Sequence, residues 1–107
     1  MLEFKFNKQT DNLFKAILSL KSIKEAEAFF RDLCTISELQ EMRDRWAIIL
    51  LLNNNMSYRN IAEKLNTSTA TVTRVANWLN NGKGGYRTIL NRVNSHHNNS
   101  SRGKGLS

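Results

Sequence analysis

Short polar side chains and one arginine recur at helical spacing between residues 69 and 77. The outward-facing residues carry no carboxylate; they are Thr69, Ala70, Thr71, Thr73, Arg74 and Asn77. Small neutral or basic groups of this kind can lie close to phosphates and base edges in a DNA major groove. Ser68 precedes them at the expected start of the helix, where free backbone amides also favour a phosphate. The alternative interpretation is an ordinary solvated helix surface that is rich in threonine.

Residues 57–80 contain two short helical patterns separated by Asn66-Thr67-Ser68. Ser57 and Ser68 are the expected caps of the two helices. The inward positions are aliphatic: Ile61, Ala62, Leu65, Val72, Val75 and Leu79. A helix-turn-helix needs a small residue where its helices cross and a turn residue that adopts positive φ, and Ala62 and Asn66 meet these needs. The alternative is a three-helix bundle with no DNA-reading role.

The net charge of +7 belongs entirely to the second half of the chain. Residues 1–54 contain eight basic and eight acidic side chains, whereas residues 55–107 contain eight basic side chains and only Glu63 as an acid. Concentrated positive charge on a small domain is typical of proteins that bind a polyanion, with nucleic acid expected before an anionic membrane. The alternative is that the charge serves solubility alone.

The remaining composition indicates an all-α globular protein of one domain. The 107 residues include no proline, so the strongest helix breaker is missing from the chain. No apolar run reaches the ~20 residues of a membrane span, and the first residues lack the pattern of a secretory signal. Cys34 has no second cysteine with which to form a disulfide. We therefore expect a cytoplasmic protein with no membrane association.

Three helices are predicted before residue 54. Apolar residues at helical spacing follow Thr10 and Asp11, either of which could cap the first helix. Ser22 with Glu25, and Thr35 with Glu38, fit the capping-box pattern that starts a helix. The run 53–55 consists of asparagine, which tolerates the left-handed conformation that ends a helix.

The third of these helices is apolar on every face between Trp46 and Leu52. A helix in a small monomer normally keeps one side in water, so this run predicts a core shared by two protomers. The residues expected in that core are Phe29, Phe30, Trp46, Ile48, Ile49, Leu51 and Leu52. The alternative is a central helix that is wrapped by its own neighbours.

The segment MSYRNIAEKLNTSTATVTRVANWL, residues 56–79, resembles the DNA-reading half of the Trp repressor superfamily. Within it, Ala70-Thr71-Val72-Thr73-Arg74 is similar to the superfamily signature at the recognition helix. The similarity covers residues 10–93. The sequences Thr35-x-x-Glu38, Tyr58-Arg59, Ser68-Thr69-Ala70-Thr71 and Gly84-Gly85-Tyr86 are most similar to its YerC/YecD-like branch.

The resemblance implies an intertwined homodimer whose two helix-turn-helix units enter successive major grooves of double-stranded DNA. It implies a bacterial transcription regulator, with repression favoured, that reads half-sites about one helical turn, or roughly 34 Å, apart. Carried over by position, Arg59 would contact a base or a phosphate from the first helix of the motif. The residues implied to face the groove are Thr69, Ala70, Thr71 and Thr73.

The resemblance is weaker at the site where tryptophan-responsive members hold their corepressor. Arg74 and Arg45 could supply the two guanidinium groups, although an ungapped alignment places Asp44 at the second position. Val75 and Trp78 stand where those members present glycine and serine. The added bulk predicts that Trp78 fills the slot and that DNA binding needs no tryptophan. Any other small-molecule effector is unknown.

The segment NGKGGY, residues 81–86, lacks the preceding strand and the GK[ST] sequence of a phosphate-binding loop, so we interpret it as a helix end and hinge. Lys83 and Arg87 could contact phosphates beside the recognition helix, or could be solvated loop charges. A short final helix is expected from Tyr86 to Val93. The predicted organisation is an arm at residues 1–9, a helical domain at residues 10–93 and a disordered polar tail at residues 94–107.

No group of residues suggests an enzyme, a metal site or a cofactor site. His96 and His97 are adjacent, and no further ligand lies nearby to complete a metal site. For Cys34 we favour the interpretation of a small buried residue over that of a reactive thiolate. Two other functions stay open beside DNA regulation: a protein-interaction or ligand-sensing module on the same scaffold, and an RNA-binding or architectural protein.

Overall fold

The computed structural model describes the backbone of residues 3–103 and the side chains of residues 3–94. Six α-helices and no strand are found in this part of the chain: α1 (Lys8–Leu18), α2 (Ile23–Leu33), α3 (Ile36–Asn53), α4 (Tyr58–Leu65), α5 (Thr69–Asn81) and α6 (Gly85–Gly103). The predicted all-α class is confirmed. None of the described helices is both long enough and apolar enough to cross a bilayer.

The first helix begins earlier than the sequence predicts. Asn7 is its cap and accepts a hydrogen bond from the Thr10 backbone N–H at 3.1 Å. The Thr10 hydroxyl in turn accepts from the Asn7 backbone N–H at 2.7 Å. Thr10 and Asp11 were expected to cap and instead lie inside the first turn, because asparagine at residue 7 already satisfies the free amides.

Of the two capping boxes predicted for the next two helices, the one at α3 is complete, whereas at α2 Ser22 caps the helix but Glu25 bonds the residue before the cap. Ser22 accepts from the Glu25 backbone N–H at 3.0 Å, while the Glu25 carboxylate accepts from the backbone N–H of Lys21 at 2.9 Å. At α3 the exchange is reciprocal, since Glu38 accepts from the Thr35 N–H at 2.8 Å and Thr35 accepts from the Glu38 N–H at 3.1 Å. These contacts satisfy backbone donors that a helix leaves without partners in its first turn.

The chain divides into two compact units, residues 1–40 and residues 41–107. The first unit, which we call the N-terminal unit, contains α1, α2 and the beginning of α3. No residue of α1 or α2 is buried, and Leu18 and Ile23 are 83% and 81% exposed. Phe29 and Phe30 contact each other edge to face with ring centroids 5.6 Å apart, and both are only half-buried.

The second unit, which we call the C-terminal unit, contains the core of the chain. Its buried residues come from α3 to α6: Ile48, Ile49, Ile61, Ala62, Val72, Val75, Ala76, Leu79 and Leu90. Ile48 and Ile49 were expected in a core shared between protomers, and both are already completely buried within one chain. Trp46, Leu51 and Leu52 are half-buried against the same core, so part of the apolar run does find neighbours within its own chain.

The last helix is longer than the sequence predicts. Leu90 is buried and Tyr86 packs against the core, while Ile89 and Val93 are 41% and 44% exposed, so the described part of α6 meets the core through Tyr86 and Leu90. The helix continues to Gly103, beyond residue 94 where we predicted a disordered tail to begin. No proline interrupts this stretch. The side chains from residue 95 onward, His96 and His97 included, and the whole of residues 104–107 lie outside the described residues, and the division into arm, domain and tail stays a prediction.

Candidate nucleic-acid interface

The two helices α4 and α5 are joined by a short turn of defined geometry. Asn66 ends α4 in the left-handed conformation, with φ 55° and ψ 51°, as the sequence predicts. The backbone N–H of Thr67 donates to the Ala62 carbonyl at 2.9 Å, which satisfies a carbonyl at the end of α4. Asparagine adopts this conformation at less cost than other residues with a Cβ. The turn therefore leads directly from α4 to the start of α5.

Serine caps both helices of the motif. Ser57 accepts a hydrogen bond from the backbone N–H of Asn60 at 3.1 Å. Ser68 accepts from the backbone N–H of Thr71 at 3.1 Å, and its hydroxyl donates to the Thr71 hydroxyl at 3.0 Å. The side chains of Ser68 and Thr71 are thus held together at the start of α5, where the helix dipole favours an anion.

The inward faces of α4 and α5 pack as a helix-turn-helix requires. Ile61 and Val72 are fully buried, and Ala62 is small enough to lie beneath the crossing helix. Val75 and Leu79 extend the same buried row along α5. The register of α5 is set by these contacts, and it turns the opposite face of the helix to solvent.

The exposed face of α5 carries the groups singled out from the sequence. The side chains that are exposed are Thr69, Ala70, Thr73, Arg74 and Asn77, whereas Thr71 is half-buried. Asn77 accepts a hydrogen bond from the side-chain amide of Asn81 at 2.9 Å, which restrains its own amide. The first turn of α5 contains no acidic residue, so this face presents only neutral and positive groups.

Arg59 lies exposed in the first turn of α4, directly after Tyr58. That turn also has no acidic residue. Arg59 and the exposed residues of α5 lie on two helices that the turn at Asn66 joins. Whether each of them contacts DNA stays a prediction.

A polar cavity of about 220 Å³ lies beside the amino-terminal half of α5. Arg45 and Arg74 line it together with two acidic side chains, Glu41 and Asp44. Arg45 forms an ion pair with Glu41 at 3.5 Å. The two arginines expected from the resemblance therefore do line one cavity, but carboxylates offset their charge.

Trp78 lies next to Arg45 rather than inside the core. The Arg45 guanidinium carbon is 5.6 Å from the centre of the Trp78 ring, within the range of a cation–π contact. Trp78 remains 40% exposed and lines an open apolar groove of about 700 Å³ with Trp46, Tyr86 and Ile89. Val75, by contrast, is fully enclosed. The bulky residues at these two positions thus occupy different environments.

Lys83 and Arg87, the two remaining residues that were predicted to contact DNA phosphates, lie where α5 ends and α6 begins. Gly82 ends α5, and a Cβ at this position would collide with the carbonyl oxygen of Trp78. Gly84 adopts φ 88°, which favours glycine. Lys83 lies exposed between them, and Arg87 lies exposed in the first turn of α6.

Asn80 is a polar residue of this region that the sequence did not indicate. Its side-chain carbonyl accepts a hydrogen bond from the Arg87 guanidinium at 2.8 Å. Asparagines are frequent throughout the chain, so the sequence alone does not single out Asn80. It differs from the others only because α6 brings Arg87 within hydrogen-bond distance of it. In the described part of the chain, no group of three or more histidine, cysteine or acidic residues is arranged to hold a metal ion.

The comparisons with known proteins agree with this geometry. The Trp repressor protein family model matches residues 8–94. The chain is 42% identical over 86 residues to the uncharacterized protein YerC of Bacillus subtilis strain 168, covering 80% of this chain and 83% of YerC.

Two solved structures are similar over most of their length. One is a TrpR-like protein from Eubacterium eligens, with 41% identity, a TM-score of 0.78 and coverage of 82% of this chain and 91% of that one. The other is a proposed Trp repressor from Staphylococcus aureus, with 36% identity, the same TM-score and coverage of 83% and 89%. With its all-α fold and a family match across residues 8–94, the chain belongs to the Trp repressor family, in its YerC-like branch.

Proposed function

We propose that the protein is a sequence-specific, DNA-binding transcription regulator that inserts α5 into the major groove. Membership of a family of DNA-binding regulators supports the general assignment. The single observation that carries it for this chain is the exposed, acid-free face of α5 on a complete helix-turn-helix. We assign repression and no enzymatic activity, in keeping with that family.

The groups that contact DNA are assigned by their position on this motif. We assign Arg59 to a base or a phosphate and Thr71 and Asn77 to bases, while Ser68 and the free amides at the start of α5 suit a phosphate. The further contacts that we assign are Thr69, Ala70, Thr73, Arg74, Lys83 and Arg87. The excess positive charge of residues 55–107 would draw this surface toward DNA over a distance of about 10 Å at moderate salt.

We further propose that the regulator acts as a homodimer. The support is the N-terminal unit, whose helices bury no residue and expose Leu18, Ile23 and Ile36. Exposed aliphatic side chains on this scale are unfavourable in water, and a second copy of the chain would cover them. Two helix-turn-helix motifs related by a two-fold axis would then suit a pseudo-palindromic operator.

DNA binding is proposed to be independent of tryptophan. Val75 fills its position completely, and Trp78 already places an indole beside the Arg45 guanidinium. A free tryptophan would have to displace that indole or find a second aromatic site. We expect isothermal calorimetry to detect no saturable tryptophan binding at micromolar concentrations. Tryptophan binding in that range, with a gain in DNA affinity, would contradict the proposal.

The central test measures binding to double-stranded DNA by fluorescence anisotropy, first with random-sequence duplexes and then with duplexes selected from them. Arg59→Ala and Thr71→Ala should each weaken binding to the selected duplex by about 1–3 kcal/mol and relax its specificity. If two protomers each neutralise about four phosphates, the logarithm of the affinity should fall with log salt at a slope near about −7.

Lys24→Ala is the matched control, because it removes a cation from the N-terminal unit. It should leave the preference for the selected duplex unchanged. A wild-type protein that ignores every duplex in dilute buffer would favour the second candidate function, a protein-interaction or ligand-sensing module. A protein that prefers single-stranded or duplex RNA would instead favour an RNA-binding role.

A further inference from the structure

A polar pit of about 360 Å³ lies within the C-terminal unit, beside the helix-turn-helix. Its polar lining comes from the end of α3, the segment that follows it, the start of α4, the end of α5 and the start of α6: Asn53, Asn55, Tyr58, Asn80 and Arg87. Its floor is apolar and includes the buried residues Ala76 and Leu79. No carboxylate lines the pit, and one guanidinium does. The pit therefore has the charge and the donors of an anion site.

Arg87 is exposed and forms a hydrogen bond to another residue that lines this pit. One N–H of its guanidinium donates to the Asn80 side-chain carbonyl at 2.8 Å. A guanidinium has five N–H donors in one plane, so this contact orients the plane and leaves other donors for an incoming anion. Since the Asn80 carbonyl accepts from Arg87, the Asn80 amide NH₂ remains a donor. The pair thus offers several donors and no exposed negative charge.

The pit continues the surface that we assign to DNA. Thr73, Asn77 and Asn80 follow one another at intervals of four and three residues, so they share one side of α5. On α4, Tyr58 directly precedes Arg59. Two of the residues that line the pit, Tyr58 and Asn80, therefore adjoin residues that we assign to DNA contacts.

We propose that this pit is a phosphate site, formed by Arg87 with Asn80 as its positioning residue and completed by Tyr58 and the asparagine amides. The ligand is a phosphate group, which a guanidinium fork and neutral amide donors recognise together. The source that the location favours is a phosphate of the DNA backbone, so the assignment rests on the proposed function. A free phosphate has the same chemistry and is distinguished by experiment.

The DNA arm of the test compares full-length variants in anisotropy titrations between about 50 and 200 mM salt. Arg87→Gln should weaken duplex binding three- to tenfold. It should also make the salt slope shallower by about 0.9 for each subunit in contact with DNA. Asn80→Asp should match or exceed this loss, because its carboxylate would pair with Arg87 and repel the phosphate. Arg87→Lys should keep the salt slope while recovering only part of the affinity, since it retains the charge without the planar fork.

Arg92→Gln is the matched control, because it removes the same charge from the same helix and Arg92 does not line the pit. It should leave the salt slope close to that of the wild type. Circular dichroism establishes that each variant retains its helices, so a loss of binding is not a loss of folding.

The second arm titrates inorganic phosphate into the wild type and Arg87→Gln, with sodium chloride at equal ionic strength as the reference. Backbone phosphate as the source predicts no saturable change in the amide NMR signals of Asn80 and Arg87. A saturable change that is absent in Arg87→Gln would keep the phosphate chemistry and make free phosphate the source.

Two failures can be told apart. If wild-type protein binds duplex DNA but Arg87→Gln and Asn80→Asp behave as Arg92→Gln does, and inorganic phosphate leaves the pit unchanged, the phosphate site is overturned and the proposed function stands. If the wild type binds no duplex, the proposed function fails. The phosphate site is then tested by the titration with inorganic phosphate alone. If that titration shows no saturable binding, the phosphate site is overturned as well.

Discussion

The two compact units of this chain differ in how much of their apolar surface is buried. The C-terminal unit encloses five large aliphatic side chains almost completely, drawn from α3, α4 and α5. The N-terminal unit buries no residue of its two complete helices, although Leu18 and Ile23 are almost fully accessible. The charges divide as well, since the positive excess belongs to residues 55–107. A unit with its own core can present a binding surface, while a unit without one requires a partner surface for stability.

The largest expected effect tests whether the C-terminal unit is held by its own core. Ile49→Ala should lower the free energy of unfolding by about 2–5 kcal/mol, because it opens a cavity where the side chain is fully buried. Chemical denaturation measured at several protein concentrations provides the value. The loss should be similar at each concentration if this core is formed within one chain.

Leu50→Ala is the control for that experiment. Leu50 is the neighbour of Ile49 and is 36% exposed, so its truncation removes less buried surface. A loss equal to that of Ile49→Ala would mean that Leu50 is covered in solution and that the contrast between the units is less sharp.

The next effect concerns the second copy of the chain that we propose to cover the N-terminal unit. Ile23→Asp should weaken self-association by about 1.5–3 kcal/mol, which is the gain from burying one such side chain. Sedimentation equilibrium should then show a higher dimer dissociation constant. Lys24→Asp changes the adjacent exposed position and should have a smaller effect. A wild-type protein that sediments as a 12.3 kDa monomer at micromolar concentration would contradict the dimer and leave the exposed face unexplained.

The smallest effect concerns Ser68, the residue that caps α5. Ser68→Ala should destabilise the protein by about 1 kcal/mol, because the Thr71 backbone N–H loses its acceptor. Ser68→Asp should restore the cap, since aspartate is an equally good capping residue, yet weaken DNA binding through its negative charge. Thermal unfolding and anisotropy measured on the same samples separate the two consequences. Equal DNA affinity for the wild type and Ser68→Asp would remove Ser68 from the interface.

Local rules in the sequence predict much of the fold, and they do so where a single residue type decides the backbone. The caps Ser57 and Ser68, the reciprocal pair of Thr35 with Glu38 and the left-handed Asn66 all follow from hydrogen bonds within a few residues. The start of α1 was placed too late because Asn7, Thr10 and Asp11 are all competent caps. The choice of Asn7 depends on the reciprocal bond with Thr10.

Features that depend on the approach of separate helices were less predictable. The inward row of α5 followed from spacing alone, and so did the face that it turns outward. The hydrogen bond of Arg87 with Asn80 joins two helices, and the two residues are seven positions apart in the sequence. No periodic pattern in the sequence indicates this contact. The complete burial of Ile48 and Ile49 within one chain was likewise hidden, since an apolar run does not indicate which surface covers it.

Gly82 limits how α5 can evolve. Because any larger residue there would meet the Trp78 carbonyl, the length of α5 is fixed at its carboxyl end. In a saturation-mutagenesis library selected for folding, we expect position 82 to accept glycine alone, while Thr69 and Thr73 tolerate many replacements. The outward side chains of α5 can therefore vary during evolution while the length of the helix that carries them stays the same.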